Sequence, residues 1–266
     1  MSALSAISVP QVLQIIGSRP APATPTPKNR GECSSGPILL PMIPLRDVVP
    51  SRTIPGVTVG LIALSTLVFF YEMLLSRAEM DRLVLQWGLV PGRASPFTWL
   101  TSMFLHDGWV PFLGNMLYLW IFGETVEDRF GHGRFLFFYL VSGVIAGTAH
   151  ELAAQGSSAP LVGAVGAVAG VLGAHLVMFP QSRALTLVPL VLAVRIIEVP
   201  AALLIAVWFA LQFASGLGTL SAAGHAGGGA TTFWAQAAGF AGGMALSRAF
   251  RQPERETVEW WDDAQP

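Results

Sequence analysis

Three histidines and two carboxylates are the side chains whose chemistry most readily suggests a polar site. They are His106 with Asp107, His150 with Glu151, and His225, and we expect all of them on one side of a membrane. Imidazole and carboxylate groups bind metal ions and carry protons in membrane proteins. Their spacing matches no metal-ligand motif, so we favour hydrogen-bonded or loop-exposed histidines over a metal or proton site, and we predict no cofactor.

Ser142, Ser157 and Ser158 are candidate nucleophiles that a nearby histidine could activate. None of them lies in a Gly-x-Ser-x-Gly turn or a comparable strained context. A new serine–histidine pair built from these residues is therefore only a minor alternative. His175 stands inside an apolar segment, where ionisable groups usually face the interior of a helix bundle, and we expect it to form structural hydrogen bonds.

The composition of the 266-residue chain is that of a membrane protein. It is 53% hydrophobic and only 12% charged, with a formal net charge of -1 and a mean hydropathy of +0.58. Between residues 130 and 245 just five residues are charged, far fewer than the surface of a soluble fold of that length requires. The charge balance excludes a nucleic-acid binder that works through bulk positive charge, and the lipid bilayer is the expected partner.

Six apolar segments are each near the length needed to cross about 30 Å of hydrocarbon. We place these spans at 55–75, 108–124, 134–153, 160–179, 199–217 and 232–250. This predicts an all-α membrane protein with six transmembrane helices.

The remaining segments have other predicted roles. Residues 1–41 contain most of the N-terminal prolines and are expected to be a disordered tail, while 251–266 form an acidic tail. The segment 76–107 is too polar to span and too apolar for free solution, so we expect it in the outer interface. The apolar stretch 185–197 is predicted as an interfacial or re-entrant piece, in which Arg195 and Glu198, three residues apart, form an ion pair.

Basic residues predict the orientation, because they concentrate in cytoplasmic loops. With the N-terminus in the cytoplasm, only three arginines of the membrane region lie outside: Arg77, Arg82 and Arg93. The inner set is Arg46, Arg52, Arg129, Arg134, Arg183, Arg195, Arg248, Arg251 and Arg255. We therefore expect a multi-pass protein of the inner (plasma) membrane with both termini in the cytoplasm.

Small residues at four-residue spacing predict close helix contacts. In the fourth span Gly163, Gly166 and Gly170 share one helical face, and in the sixth span Gly239 and Gly243 offer a matching face, to which we add Gly242. We predict that these two spans are in direct contact.

Several motifs, in the same order along the chain, resemble those of the rhomboid intramembrane serine proteases. The resemblance covers roughly 42–250 and is carried by the segments 42–47, 104–106, 113–117, 120–123, 126–131, 163–170, 179–180 and 234–240. It implies a six-helix bundle with a water-filled cavity open to the outer face. It also implies that Glu127 and Arg129 are a structural motif that ties the inner loops together.

The resemblance also shows which positions would carry the chemistry. In the family a serine of span 4 is activated by a histidine of span 6, and a histidine and an asparagine of span 2 stabilise the oxyanion. The matching positions here are Val165, Gln236, Pro111 and Asn115, of which only Asn115 is retained. Valine has no nucleophilic atom, and a glutamine amide is not basic near neutral pH, so no catalytic residue set is intact.

These substitutions predict a rhomboid pseudoprotease that binds single-span client helices, between spans 2 and 5, without cleaving them. The alternative is an active serine endopeptidase of the family that uses unrecognised groups. A transporter is a more distant alternative, because the sequence shows no inverted repeat with paired broken helices.

Overall fold

The computed structural model describes residues 43–49, 53–154, 160–190, 193–223 and 228–252. The predictions for 1–41 and for the acidic tail beyond residue 252 lie outside these ranges. The helices described are α1 Gly56–Met73, α2 Arg77–Trp87, α3 Pro96–Thr101, α4 Trp109–Phe130, α5 His132–Ala153, α6 Val165–Met178, α7 Ala201–Ala223 and α8 Gly228–Phe250. The strands are β1 Ile43–Asp47, β2 Arg183–Leu190 and β3 Ala193–Pro200.

The six long helices correspond to the six predicted spans, with shifted ends. By length and composition, Gly56–Met73 and His132–Ala153 are the two described helices that are long and apolar enough to cross a membrane. The fourth span is shorter than predicted, since α6 begins at Val165 rather than at residue 160. The segment 76–107 contains two short helices, α2 and α3, and each begins with a serine capping box.

A three-stranded antiparallel sheet in the order β1-β2-β3 corrects the all-α prediction. The stretch 185–197, predicted as an interfacial or re-entrant piece, belongs to the β2–β3 hairpin. The segment contains three Val and two Ile, which favour strands, and short apolar runs of this kind are ambiguous by periodicity alone. Strand β1 joins β2 with Asp47 opposite Ala184.

The predicted ion pair between Arg195 and Glu198 assumed helical spacing, whereas both residues lie in strand β3. In the hairpin Glu198 lies opposite Leu185, and its carboxylate is 3.6 Å from the guanidinium of Arg183. Both side chains are more than half exposed, so this pair adds little stability.

Helix α6 lies at the centre of the bundle and packs most closely against α8, which confirms the predicted contact between spans 4 and 6. A Cβ atom added to Gly239 would lie 2.2 Å from the backbone oxygen of Gly166, and one on Gly243 would lie 2.0 Å from that of Gly170. Backbones come this close only without side chains between them. Gly242 does not share this face, because it contacts Ile145 of α5.

A buried carboxylate connects the start of α1 to the end of α4. Glu127 accepts hydrogen bonds from the backbone N–H of Val57 (2.9 Å) and from the N–H and hydroxyl of Thr58 (2.7 Å each). It also pairs with Nδ1 of His132, at 2.5 Å. At the same end, the guanidinium of Arg129 lies 5.3 Å from the centre of the Phe179 ring, in a cation–π contact.

Asp47, at the end of β1, makes the stability of the fold depend on pH. Burial raises the pKa of Asp47 to about 6, with a smaller contribution from the charge of Glu124. Since the folded state then holds this proton more tightly than the unfolded chain, the contribution of Asp47 to stability falls as pH rises from about 4 to about 6.

We expect Asp47→Asn to remove this dependence. The melting temperature in detergent should match that of the wild type at pH 4 and exceed it by a few degrees at pH 7, because asparagine has no charge to desolvate. Thermal unfolding of both proteins across this range measures the difference. A difference in melting temperature between the two proteins that stays constant with pH would contradict the prediction.

Candidate functional site

The backbone leading into α6 is held in place by loop contacts on the side of α4. Gly163 has φ +111°, a value that L side chains rarely adopt, and its N–H donates to the carbonyl of Ser102 at 2.8 Å. Just before it, Leu161 and Leu89 exchange two backbone hydrogen bonds of 2.8 and 3.1 Å. These contacts fix the point at which Val165 starts the helix.

Three of the four positions that match the protease site are buried. Val165, at the start of α6, is 5% exposed, and Asn115 of α4 and Gln236 of α8 are each 1% exposed. Pro111 is exposed, in the first turn of α4. Proline is tolerated there because the N–H groups of the first turn have no partner within the helix.

The two buried amides each have one polar atom without a hydrogen-bond partner: Oδ1 of Asn115 and Nε2 of Gln236. Nδ2 of Asn115 is 3.8 Å from the place where a Cβ of Gly163 would stand. Gln236 shares a face of α8 with Gly239 and Gly243, which contact α6. The two amides thus come from the helices that flank the first turn of α6, and they present one acceptor and one donor.

The four matching positions hold a valine, two amides and a proline, none of which is a nucleophile or a base near neutral pH. The Val165 side chain belongs to the hydrophobic core and has no hydroxyl. Gln236 can donate or accept a hydrogen bond, but it cannot take a proton from a nucleophile near neutral pH. What remains is a site that can form hydrogen bonds with a bound group.

The aromatic side chain of Tyr118 on α4 contacts α7. The hydroxyl of Tyr118 donates to the backbone carbonyl of Leu204 at 3.3 Å, and its ring lies 5.6 Å from that of Trp208. On these two helices Leu113, Trp120, Leu203 and Leu211 are about half exposed. The resemblance places client entry between these two helices.

The histidines and acids of the predicted outer cluster do not form a metal site in the described part of the chain. His106 is buried, and its backbone N–H donates to the carboxylate of Glu72 at 3.2 Å. Burial lowers the pKa of His106 to about 4, so its imidazole is neutral. Glu151 accepts a hydrogen bond from the N–H of Gly92 at 2.8 Å, and Asp107 is exposed.

Among the residues that the structure describes, the candidate serine Ser142 forms no hydrogen bond with a histidine. Ser142 is fully buried against Gly170, and its hydroxyl has no hydrogen-bond partner. His150 is also buried. Ser157, Ser158 and His225 lie outside the described residues.

A polar cluster around His175, at the sheet end of α6, was only partly expected. Its ring contacts the hydroxyls of Thr125 (3.1 Å) and Ser182 (2.9 Å) and lies 3.4 Å from the carboxylate of Asp47. The sequence singled out His175 but not its three partners, which come from β1, α4 and the turn before β2. Asp47, Thr125 and Ser182 are each next to another polar or charged residue in the sequence, so their polar character did not single them out.

The two relatives found by comparison with known proteins are both named as rhomboid proteins. The chain is 39% identical over 84 residues to "Rhomboid protease GluP" of Bacillus subtilis (strain 168), covering 32% of this chain and 16% of that protein. It is 34% identical over 102 residues to "RHOMBOID-like protein 6, mitochondrial" of Arabidopsis thaliana, covering 38% of this chain and 33% of that protein. The matches thus span a third or less of the length of these relatives.

The family model for the rhomboid domain matches residues 93–253, which is more than half of the chain. The match includes α4, α6 and α8, and therefore every position of the candidate site. On this evidence the chain belongs to the rhomboid family.

Proposed function

We propose that this protein is a rhomboid pseudoprotease, which binds transmembrane client helices in the bilayer without cleaving them. As a rhomboid it is an integral membrane protein with an intramembrane protease-like scaffold. The observation that carries the proposal is the buried valine at position 165, where the protease nucleophile is expected. Gln236 at the position of the base supports it, because two separate helices have each lost a reacting group.

The unpartnered amide atoms support a role in binding. A buried donor or acceptor without a partner costs about 1–3 kcal/mol, so a ligand that satisfies it gains that free energy. Oδ1 of Asn115 and Nε2 of Gln236 match the N–H and C=O of a peptide group. A client segment that is locally unwound at this depth exposes such groups, whereas a continuous helix satisfies them internally.

The contact between α4 and α7 is the proposed entry path. Tyr118 donates a hydrogen bond of 3.3 Å to the carbonyl of Leu204 and packs on Trp208, and a client helix would separate these groups on entry. The half-exposed apolar side chains of α4 and α7 suit a client helix arriving from lipid.

The proposed topology is six spans with both termini in the cytoplasm. Its support is the six long helices of the fold and the excess of arginine on the side that carries the sheet. In this orientation the β-sheet and Glu127 lie at the inner face, and Val165, Asn115 and Gln236 lie toward the outer face.

We expect Gln236→Leu to weaken client binding. Leucine is similar in size and keeps the site packed, but it cannot donate a hydrogen bond to a client carbonyl. The purified protein in nanodiscs would be photo-crosslinked to a panel of single-span helices derived from rhomboid substrates, with Gln86→Leu as the matched control, because Gln86 is exposed on α2.

The crosslinked yield should fall at least fivefold for Gln236→Leu and stay unchanged for the control. Bulky substitutions at Gly166 or Gly170 are unsuitable for this purpose, because these glycines pack against Ala146 and Ser142 of α5. Absence of crosslinks above a scrambled apolar helix would argue against client binding, and cleavage of the panel would argue against a pseudoprotease.

A further inference from the structure

The cluster around His175 has the connectivity of a nucleophile, a base and an orienting group. The hydroxyl of Thr125 donates to the carbonyl of Phe122 at 3.0 Å, so its oxygen is available to accept from Nδ1–H of His175 at 3.1 Å. This assignment puts the ring proton on Nδ1 and leaves the lone pair of Nε2 free, as inferred from the hydrogen-bond network. Nε2 then accepts from the hydroxyl of Ser182 at 2.9 Å.

Asp47 completes the arrangement from β1. Its Oδ2 lies 3.4 Å from the same Nε2 and has no hydrogen-bond partner. When Nε2 takes the serine proton, the imidazolium that forms faces this carboxylate, which stabilises the positive charge. His175 is fully buried, and Phe122 and Phe179 hold its ring at 4.8 and 5.2 Å between centroids.

The cluster is separate from the positions that match the protease site. His175 lies ten residues after Val165 in the same helix, which is about 15 Å along its axis. Ser182 lies in the turn between α6 and β2 and is partly exposed, and its neighbours Gln181 and Arg183 are exposed. A small molecule can therefore reach Ser182 from water without passing between the helices.

We propose that Ser182 and His175 form a nucleophile–base pair that transfers acyl groups from small, water-soluble carboxylic esters, with Thr125 orienting the imidazole. The Ser182 oxygen forms a bond with the ester carbonyl carbon while its proton moves to Nε2 of His175. The carbon–alkoxide bond breaks, and the leaving alkoxide takes that proton. Water then attacks the acyl-serine with His175 as the base, which releases the carboxylic acid and restores the hydroxyl.

The test uses a fluorophosphonate, which reacts with activated serines by forming an oxygen–phosphorus bond and releasing fluoride. The full chain, purified in detergent, would be incubated with the probe and digested, and mass spectrometry would locate the label. We expect the label on Ser182, none in Ser182→Ala, and at least tenfold slower labelling in Thr125→Val, which keeps the volume but not the acceptor. Ser76→Ala is the matched control, because the Ser76 hydroxyl donates to the carboxylate of Glu79 and not to a histidine.

A second measurement separates catalysis from a structural hydrogen bond. With p-nitrophenyl acetate the wild type should release a burst of one p-nitrophenol per chain, which Ser182→Ala lacks at an unchanged melting temperature. A purely structural contact would change the melting temperature and give no burst. The proposal is overturned if the label falls on another residue, or if the chain stays unlabelled while a known serine hydrolase reacts in the same detergent.

Discussion

Replacing Gly239 and Gly243 together by alanine is expected to lower the melting temperature of the protein by roughly 10 °C. Each new methyl group would stand 2.0–2.2 Å from a backbone oxygen of α6, which is closer than any real contact. Side chains can relieve such a clash by changing rotamer, but backbone atoms cannot, so the two helices must separate. Overpacking costs about 1–3 kcal/mol per site, and the pair should cost about 4 kcal/mol.

The matched control is the double variant Gly60→Ala and Gly133→Ala. Both glycines are helical, and a Cβ on either meets no atom within 4 Å. Alanine favours helix over glycine by up to about 1 kcal/mol, so this variant should be as stable as the wild type or more so. Equal melting temperatures for the two double variants, measured in the same detergent, would mean that α6 and α8 do not approach as the structure has them.

The α6–α8 contact was predictable because its cause is local in sequence. Glycines three, four and seven residues apart fall on one helical face, and in lipid such a face has few uses other than backbone contact. The substituted site positions remain a prediction from short motifs, since Val165 and Gln236 stand within segments that resemble the family pattern. Their burial follows from the same helix packing.

The sheet and the His175 cluster could not be predicted in this way because both depend on long-range pairing. Strand β1 precedes β2 by more than 130 residues, and the hydrophobic pattern within a strand does not indicate which other strand it pairs with. The hairpin reads as an apolar run that suits an interfacial segment equally well. Ser182 comes within 2.9 Å of His175 only because α6 ends at Met178 and the chain turns back.

Restoring the protease groups is expected to create cleavage of rhomboid substrate helices. The triple variant Pro111→His, Val165→Ser and Gln236→His should cleave rhomboid substrate helices at least a hundredfold above the wild-type background. Loss of the nucleophile or the base in a serine protease costs about a millionfold in kcat, so a partial return of geometry gives a large signal. The glycine contacts between α6 and α8 set the distance between the introduced serine and histidine, and Asn115 is already present.

The control carries Pro111→His, Val165→Ala and Gln236→His, so that it differs from the triple variant by one oxygen atom. Only the protein with serine at position 165 should cleave.

The double variant Val165→Ser and Gln236→His, which keeps Pro111, measures what the introduced histidine contributes to stabilising the oxyanion. Pro111 is exposed, so we expect a histidine there to add less than the hundredfold or more that a buried oxyanion donor supplies. If the triple variant folds with the wild-type melting temperature and cleaves nothing, the geometry of a protease site has been lost along with its reactive groups.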